Sequence, residues 1–189
     1  MTRIVLLTML SVLFAACASS IQMVGPGRRD IASLYSVDPQ RSWSAQTSRD
    51  EEIWTVDGPA LQSIRFVKGL KPGDNLFGSR KSKSAFTYKT GMNSHELMEL
   101  ILDSFRAGGM QQVEASLLQP FDFGGREGFR IDFTFMMPNS LEMQGIVFGA
   151  EIDDRLHLIF YYGTRQHYFE KYREQAERLA GSIRFLKNP

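Results

Sequence analysis

Residues 129–162 of this 189-residue chain alternate between apolar and other side chains, and this pattern constrains the fold more than any other feature of the sequence. From Phe129 to Phe135 every second residue is Phe or Ile, and the residues between are Arg, Asp and Thr. A period of two places one set on each face of a β-strand. Segments 144–152 and 156–162 repeat the pattern after short turns, so we expect an antiparallel meander.

Further strands are predicted before this meander. Segments 52–56 and 61–67 flank Asp57-Gly58-Pro59, a turn signal, and should pair as a hairpin. Residues 35–44 indicate a first short strand region, and residues 85–88 a short strand after a long loop. Segment 110–118 is a predicted strand, followed by a turn at 120–125.

Two helices are predicted from apolar residues at helical spacing. In the first, Leu97, Leu100, Ile101 and Phe105 form one stripe after a capping Asn93 or Ser94. The second covers about 165–179, and a short closing strand follows at 182–185. A helix with one apolar stripe must pack on a sheet. We therefore predict an α+β fold, a mostly antiparallel sheet covered by two main helices.

This order of elements, together with the ending Gly181-Ser-Ile-Arg-Phe185, resembles the PsbP-like and DcrB-like group of α/β/α sandwich proteins over roughly residues 43–187. The resemblance implies the sandwich fold. Proteins of that group are often lipoproteins or lumenal accessory factors, so it also implies a non-catalytic accessory role. Because one fold hosts many functions, no site residue is carried over.

The N-terminus has the three parts of a secretory signal. Arg3 supplies a positive charge, residues 4–14 form an apolar segment, and Ala15-Ala16 are small residues before a cleavage site. A membrane-spanning helix needs about 20 apolar residues, and this segment is shorter. We predict a signal peptide at residues 1–16.

Cys17 follows this signal directly and is the single cysteine of the chain. The stretch Leu13-Phe14-Ala15-Ala16-Cys17 resembles the bacterial lipobox, which implies lipid attachment at the Cys17 thiol and cleavage before it. The alternative is a soluble periplasmic protein with a cysteine that happens to lie at this position. Ala18 follows Cys17 in place of the Asp typical of retention at the inner membrane, which favours the outer membrane.

Residues 17–34 contain Ser, Gly, Pro and paired Arg and are predicted to be a lipidated tether, with a short helix at 29–34 as an alternative for its last part. Residues 35–189 are predicted to form a single domain. A flexible tether of that length would let the domain reach some tens of ångströms, since such chains span about 5–6 Å × √n.

The charge balance argues against nucleic-acid binding. The chain has 22 Lys and Arg residues against 21 Asp and Glu residues, and binding would need a basic face. The local run Arg80-Lys81-Ser82-Lys83 indicates a solvated loop tip or, alternatively, a patch for anionic lipid headgroups.

No motif for phosphate, dinucleotide or zinc chemistry is present, so we predict no catalytic, cofactor or metal site. His157 is expected on the solvent side of its strand. A distant site joining His157 and His167 is one alternative, and a pocket of Trp54 with Tyr161 and Tyr162 is another. Asp153-Asp154 is interpreted as a hairpin turn.

The leading hypothesis is a non-enzymatic envelope lipoprotein held at the membrane by its anchor, with an envelope protein as its partner. The second is a lipoprotein that binds a small molecule or lipid between sheet and helix, in a cavity lined by the Phe129–Phe135 or Phe148–Phe160 sets. The third is an enzyme with convergent histidines or carboxylates.

Overall fold

The computed structural model describes residues 21–77 and 86–186. They form two antiparallel sheets and two helices. The large sheet has eight strands in the order β1-β4-β5-β6-β10-β9-β8-β7. Its strands are β1 (Ile21–Val24), β4 (Trp43–Thr47), β5 (Glu51–Thr55), β6 (Gln62–Leu70), β7 (Gln111–Asp122), β8 (Glu127–Met136), β9 (Glu142–Ile152) and β10 (Arg155–Thr164).

The predicted meander is confirmed as the neighbouring strands β10, β9 and β8, which lie between β6 and the edge strand β7. In β8 the alternating residues from Phe129 to Phe135 are buried and those between are half-buried. The turn from β9 to β10 consists of Asp153 and Asp154, with φ angles of 50° and 59°, which are the positive values of a tight hairpin turn. The predicted hairpin of β5 and β6 is also confirmed.

Helix α1 (Ser94–Ala107) packs on one face of the sheet. Asn93 caps it by accepting hydrogen bonds from the backbone N–H groups of His95 and Glu96, and the Glu96 carboxylate in turn accepts from the N–H of Asn93. This reciprocal pair satisfies N–H groups that the first turn leaves free. The apolar stripe predicted from the sequence is buried against β6 to β10.

Helix α2 (Tyr168–Gly181) packs on the opposite face. Its buried residues are Phe169, Tyr172, Ala176, Leu179 and Ala180. They join one core cluster with Trp43, Trp54 and residues of β9 and β10. The helices thus lie on opposite faces of the sheet, as the α+β prediction requires.

A second sheet lies beside α2. It contains the closing strand predicted at 182–185 and part of the strand region predicted at 35–44, but its pairing was not predicted. It has three strands in the order β11-β3-β2. They are β2 (Arg29–Ile31), β3 (Tyr35–Val37) and β11 (Arg184–Phe185). Ile31, Tyr35 and Val37 are fully buried in the core on the α2 side. This small sheet therefore completes the cover over that face.

The structure corrects the predicted tether at 17–34. Residues 21–24 are strand β1 and pair with β4 at the edge of the large sheet. Residues 29–31 are strand β2, so the short helix suggested at 29–34 is wrong. Each segment is too short to show a clear period by itself, and pairing with β4 or β3 supplies the hydrogen bonds that fix its conformation.

Two smaller differences concern strand boundaries. Residues 86–88, the described part of the strand predicted at 85–88, are not in a strand. Strand β7 continues through Pro120 to Asp122 where a turn was predicted. Because β7 is an edge strand, the missing N–H of Pro120 need not break the sheet.

Candidate functional site

The predicted lipid attachment residue, Cys17, lies outside the described residues. The sequence places only residues 18–20 between Cys17 and the first residue of β1, Ile21. The surface around β1 is therefore the part of the domain nearest to Cys17 along the chain.

Strand β1 carries two apolar side chains that face solvent. Ile21 is 74% exposed and Met23 is 70% exposed, while Val24 is buried in the core on the α2 side. Ile21 lies opposite Gln46 and Met23 opposite Ser44 in the sheet. We call Ile21, Met23, Ser44 and Gln46 the outer β1 surface.

The register shows why the outer β1 surface is uncovered. Across the sheet, Ile21 lies in line with Gln46, Ile53, Arg65 and Phe160, so its side chain is on the α1 face. The core cluster beneath α1 contains residues of β6 to β10 and none from β1, β4 or β5 among the described residues. Helix α1 therefore covers one half of this face and leaves the half with β1 open.

A buried carboxylate lies on the other face, under the small sheet. Glu52 is 2% exposed. Its Oε1 accepts a hydrogen bond of 2.8 Å from Trp54 Nε1 and lies 3.5 Å from Arg29 Nη2. Its Oε2 lies 3.4 Å from Lys68 Nζ. Because both oxygens have partners, Glu52 ties β2 to the large sheet and is not placed as a free acid or base.

Tyr35 and His157 meet beside this carboxylate. Their rings are 6.1 Å apart, edge to face. Burial raises the pKa of Tyr35, and the charge of Glu52 adds to the rise. Burial lowers the pKa of His157 to about 4, with the positive charge of Arg155 adding to the effect and Asp153 opposing it. The pair is therefore neutral at pH 7.

The position of His157 corrects its predicted place on the solvent side. It is 4% exposed, and a Cβ on Gly69 would lie 3.1 Å from its Cε1 and Nε2 atoms. The Gly69 backbone, with a φ of 85°, thus packs directly on the imidazole. The pairing register between β10 and β6 shifts between Leu156 and His157. Such an irregularity changes the direction in which a strand side chain points.

The structure does not bring the predicted histidines together. His157 is near the start of β10, and the exposed His167 follows its end, where it caps α2 without a side-chain hydrogen bond. Seven residues of strand separate His157 from Thr164, about 23 Å at 3.3 Å per residue. Within the described ranges no group of three His, Cys, Asp or Glu residues could hold a metal ion.

The residues of the two apolar pockets considered from the sequence are packed on different faces of the sheet. Tyr161 is buried with Trp54 on the α2 side, whereas Tyr162 faces the α1 side. Between sheet and α1, the Phe105 ring lies 5.0 Å from Phe133 and 5.9 Å from Phe160. Such contacts between aromatic rings are typical of a close-packed core.

A charged cluster on the surface connects α2 to the turn after β5. Tyr172 donates a hydrogen bond of 2.5 Å to Asp57 Oδ2, and Lys171 Nζ lies 3.1 Å from the same oxygen. These two donors, with Tyr172 the stronger cause, lower the pKa of Asp57. Arg41 lies over the Tyr172 ring at 4.9 Å. These contacts link the first part of α2 to the turn after β5.

A shallow open groove of about 630 Å³ lies between the start of α1 and strand β7. Its lining residues are Asn93, Ser94, His95, Leu118, Gln119 and Pro120. The Asn93 side chain already accepts two hydrogen bonds as the helix cap.

In the part of the chain that the structure describes, no helix is long and apolar enough to cross a membrane.

The comparisons with known proteins give no family assignment. No family model matches the sequence, and no curated protein matches it. Among solved structures, the cyanobacterial PsbP protein (CyanoP) of Synechocystis is 12% identical, with a TM-score of 0.45 over 91% of this chain and 96% of that chain.

Two other solved structures are similar over most of their length. PA94 of Pseudomonas aeruginosa, described as a protein of unknown function and putative regulator, is 9% identical over 88% of this chain and 99% of that chain, with a TM-score of 0.47. LpqN of Mycobacterium tuberculosis, described as involved in cell envelope biogenesis, is 6% identical over 92% and 88%, with a TM-score of 0.39. These likenesses assign no function; the α+β class rests on the elements and pairings described above.

Proposed function

We propose that this chain is a lipid-anchored protein of the bacterial cell envelope that acts by binding an envelope protein and not by catalysis. The observation that carries the proposal is the location of the exposed apolar side chains. Among the described residues, the large ones are Ile21, Met23 and Leu117. They lie on β1 and β7, the two edge strands of the large sheet.

The anchor is supported by the sequence. An apolar segment with the features of a signal ends in Ala15-Ala16 and is followed by the single cysteine of the chain. One acyl chain holds a protein to a bilayer only marginally, while two or more anchor it stably, at about 0.8 kcal/mol per buried CH₂ group. Diacylglyceryl attachment at Cys17 would therefore keep the domain at the membrane.

The packing of side chains in the interior supports binding of a partner at the outer surface of the domain. Aromatic and aliphatic side chains pack on both faces of the large sheet. Strand β7 is twelve residues long and pairs on one side only, with β8. Edge strands offer backbone groups to a strand of another protein, and exposed side chains such as Leu117 supply apolar contact.

Replacement of Cys17 tests the anchor. We expect the mature protein to fractionate with membranes and to carry the mass of attached lipid. The Cys17→Ser variant should lose both properties. Membrane association of the variant at the same level as the wild type, with no change in mass, would contradict the anchor.

Photo-crosslinking in cells tests the binding role. A photoreactive amino acid at position 117 on β7 should give a discrete adduct with an envelope protein. The matched control carries the same amino acid at Glu99, which is exposed on α1. Adducts absent from both positions, or equal at both, would contradict binding through the β7 edge.

A further inference from the structure

The outer β1 surface combines exposure with an absence of charge. Ile21 and Met23 point to the same side of β1 because they are two residues apart in a strand. Their neighbours across the pair, Gln46 and Ser44, are uncharged. The sequence from Ala18 to Gly27 contains no Asp, Glu, Lys or Arg.

The length of the connection to Cys17 limits where this surface can lie. Four residue steps lead from Cys17 to Ile21, and a fully extended chain covers at most about 3.6 Å per residue, or about 14 Å. Met23 is two strand residues further, about 7 Å more. A lipid on Cys17 would therefore hold both apolar side chains within about 21 Å of the lipid headgroups.

We propose that the outer β1 surface rests in the interfacial region of the bilayer, with Ile21 and Met23 inserted among the headgroups. This inference depends on the proposed lipidation of Cys17. Apolar side chains of interfacial segments enter the boundary between headgroups and acyl chains by about 5–10 Å, and the four residues of the outer β1 surface bring no charge into this region.

The contact would orient the whole domain. Strands β1 and β7 form opposite edges of the eight-stranded sheet. Ile21 and Met23 project from the α1 face of this sheet, whereas Leu117 lies in line with Asp132 and Ile146 on the α2 face. With Ile21 and Met23 among the headgroups, the exposed Leu117 points away from the bilayer, where a partner can reach it.

Depth-dependent fluorescence quenching tests this orientation. The mature lipoprotein is reconstituted into vesicles of phosphatidylethanolamine and phosphatidylglycerol that contain brominated lipid. Because Cys17 is acylated, a cysteine introduced by Met23→Cys or Leu117→Cys is the only free thiol for a bimane label. Both positions are exposed, which makes Leu117 the matched control.

We expect brominated lipid to quench the label at position 23 at least twofold more than the label at position 117, and aqueous iodide to show the reverse order. A label at Gln46, opposite Ile21, should be quenched by brominated lipid as well. Its quenching should fall by at least half when Ile21 and Met23 are both replaced by Ser.

The outcomes separate the two proposals. Flotation with the vesicles and the lipid mass report on the anchor, and their loss would refute lipidation. If the protein floats and labels 23 and 117 are quenched equally, the anchor stands and the membrane contact of β1 is refuted. A label at 23 that neither brominated lipid nor iodide quenches would indicate a protein cover and would also refute it.

Discussion

Protonation of His157 should destabilise the domain at mildly acidic pH. The imidazole is buried between β6 and the small sheet, and burial lowers its pKa from 6.5 to about 4. The charged groups near it are Arg155 and Asp153 on its own hairpin and Lys68 opposite on β6, whose ammonium pairs with the buried Glu52. Tyr35 faces it from β3. A proton on His157 would therefore be a poorly solvated charge.

The magnitude follows from proton linkage. In the unfolded chain His157 titrates near 6.5, so between pH 6.5 and pH 4 the unfolded state binds more protons than the folded state, and stability falls as the pH falls. From pH 7.5 to pH 5 the two pKa values give a loss of about 2 kcal/mol, and below pH 4 the loss approaches about 3 kcal/mol. For a domain with a typical stability of about 5–15 kcal/mol, this loss is large.

Urea unfolding at a series of pH values measures the effect. Trp43 and Trp54 are fully buried and should report unfolding by fluorescence. The His157→Gln variant cannot take up the proton, so its free energy of unfolding should change by about 2 kcal/mol less than that of the wild type between pH 7.5 and pH 5. The comparison uses slopes, so any loss of packing in the variant cancels. Equal slopes in the two proteins would refute the reasoning.

Three further predictions concern packing and buried polar groups. Gly149→Ala should destabilise the domain by about 1–3 kcal/mol in thermal or urea unfolding, because its Cβ would lie 2.5 Å from a phenylalanine ring of β8. Gly181→Ala is the control, since a Cβ there would have nothing within 4 Å. Its stability should stay within about 1 kcal/mol of the wild type. Glu52→Gln should lower the free energy of unfolding by about 1–3 kcal/mol, because it removes the buried charge that pairs with two cations. Tyr172→Phe should cost about 1 kcal/mol and raise the pKa of Asp57 toward its ordinary value, as followed by NMR titration of the carboxyl group.

The central part of the fold could be predicted from the sequence because its signals are local and repeated. The alternation in β8 continues through eight residues, from Phe129 to Met136, and the adjoining turns carry residues that favour tight turns. Helix α1 combines an apolar stripe with a capping box. Each of these patterns can be recognised from residues that are close together in the sequence, without knowledge of the rest of the chain.

The pairing of β11 in the small sheet could not be predicted because it is non-local, although a closing strand was expected at 182–185. β11 has two residues and pairs with β3, about 150 positions earlier in the sequence. β1 and β2 lie in a stretch whose Ser, Gly and Pro content indicates a flexible chain. The burial of His157 was missed for a related reason, since the cover over its strand comes from β3 and the register shift comes from β6.

The small sheet makes the N-terminal region part of the folded domain. Arg28 Nη2 donates hydrogen bonds to the carbonyl oxygens of Ser36 and Ser182, and Ser182 Oγ accepts one from the N–H of Asp38. These contacts connect the segment after β1 to the end of α2, near the C-terminus. A domain on a long flexible tether would sample many orientations at the membrane. Here β1 is paired into the large sheet and the chain after it is held to α2. A membrane contact at Ile21 and Met23 would therefore fix the orientation of the whole domain, including the β7 edge, relative to the bilayer.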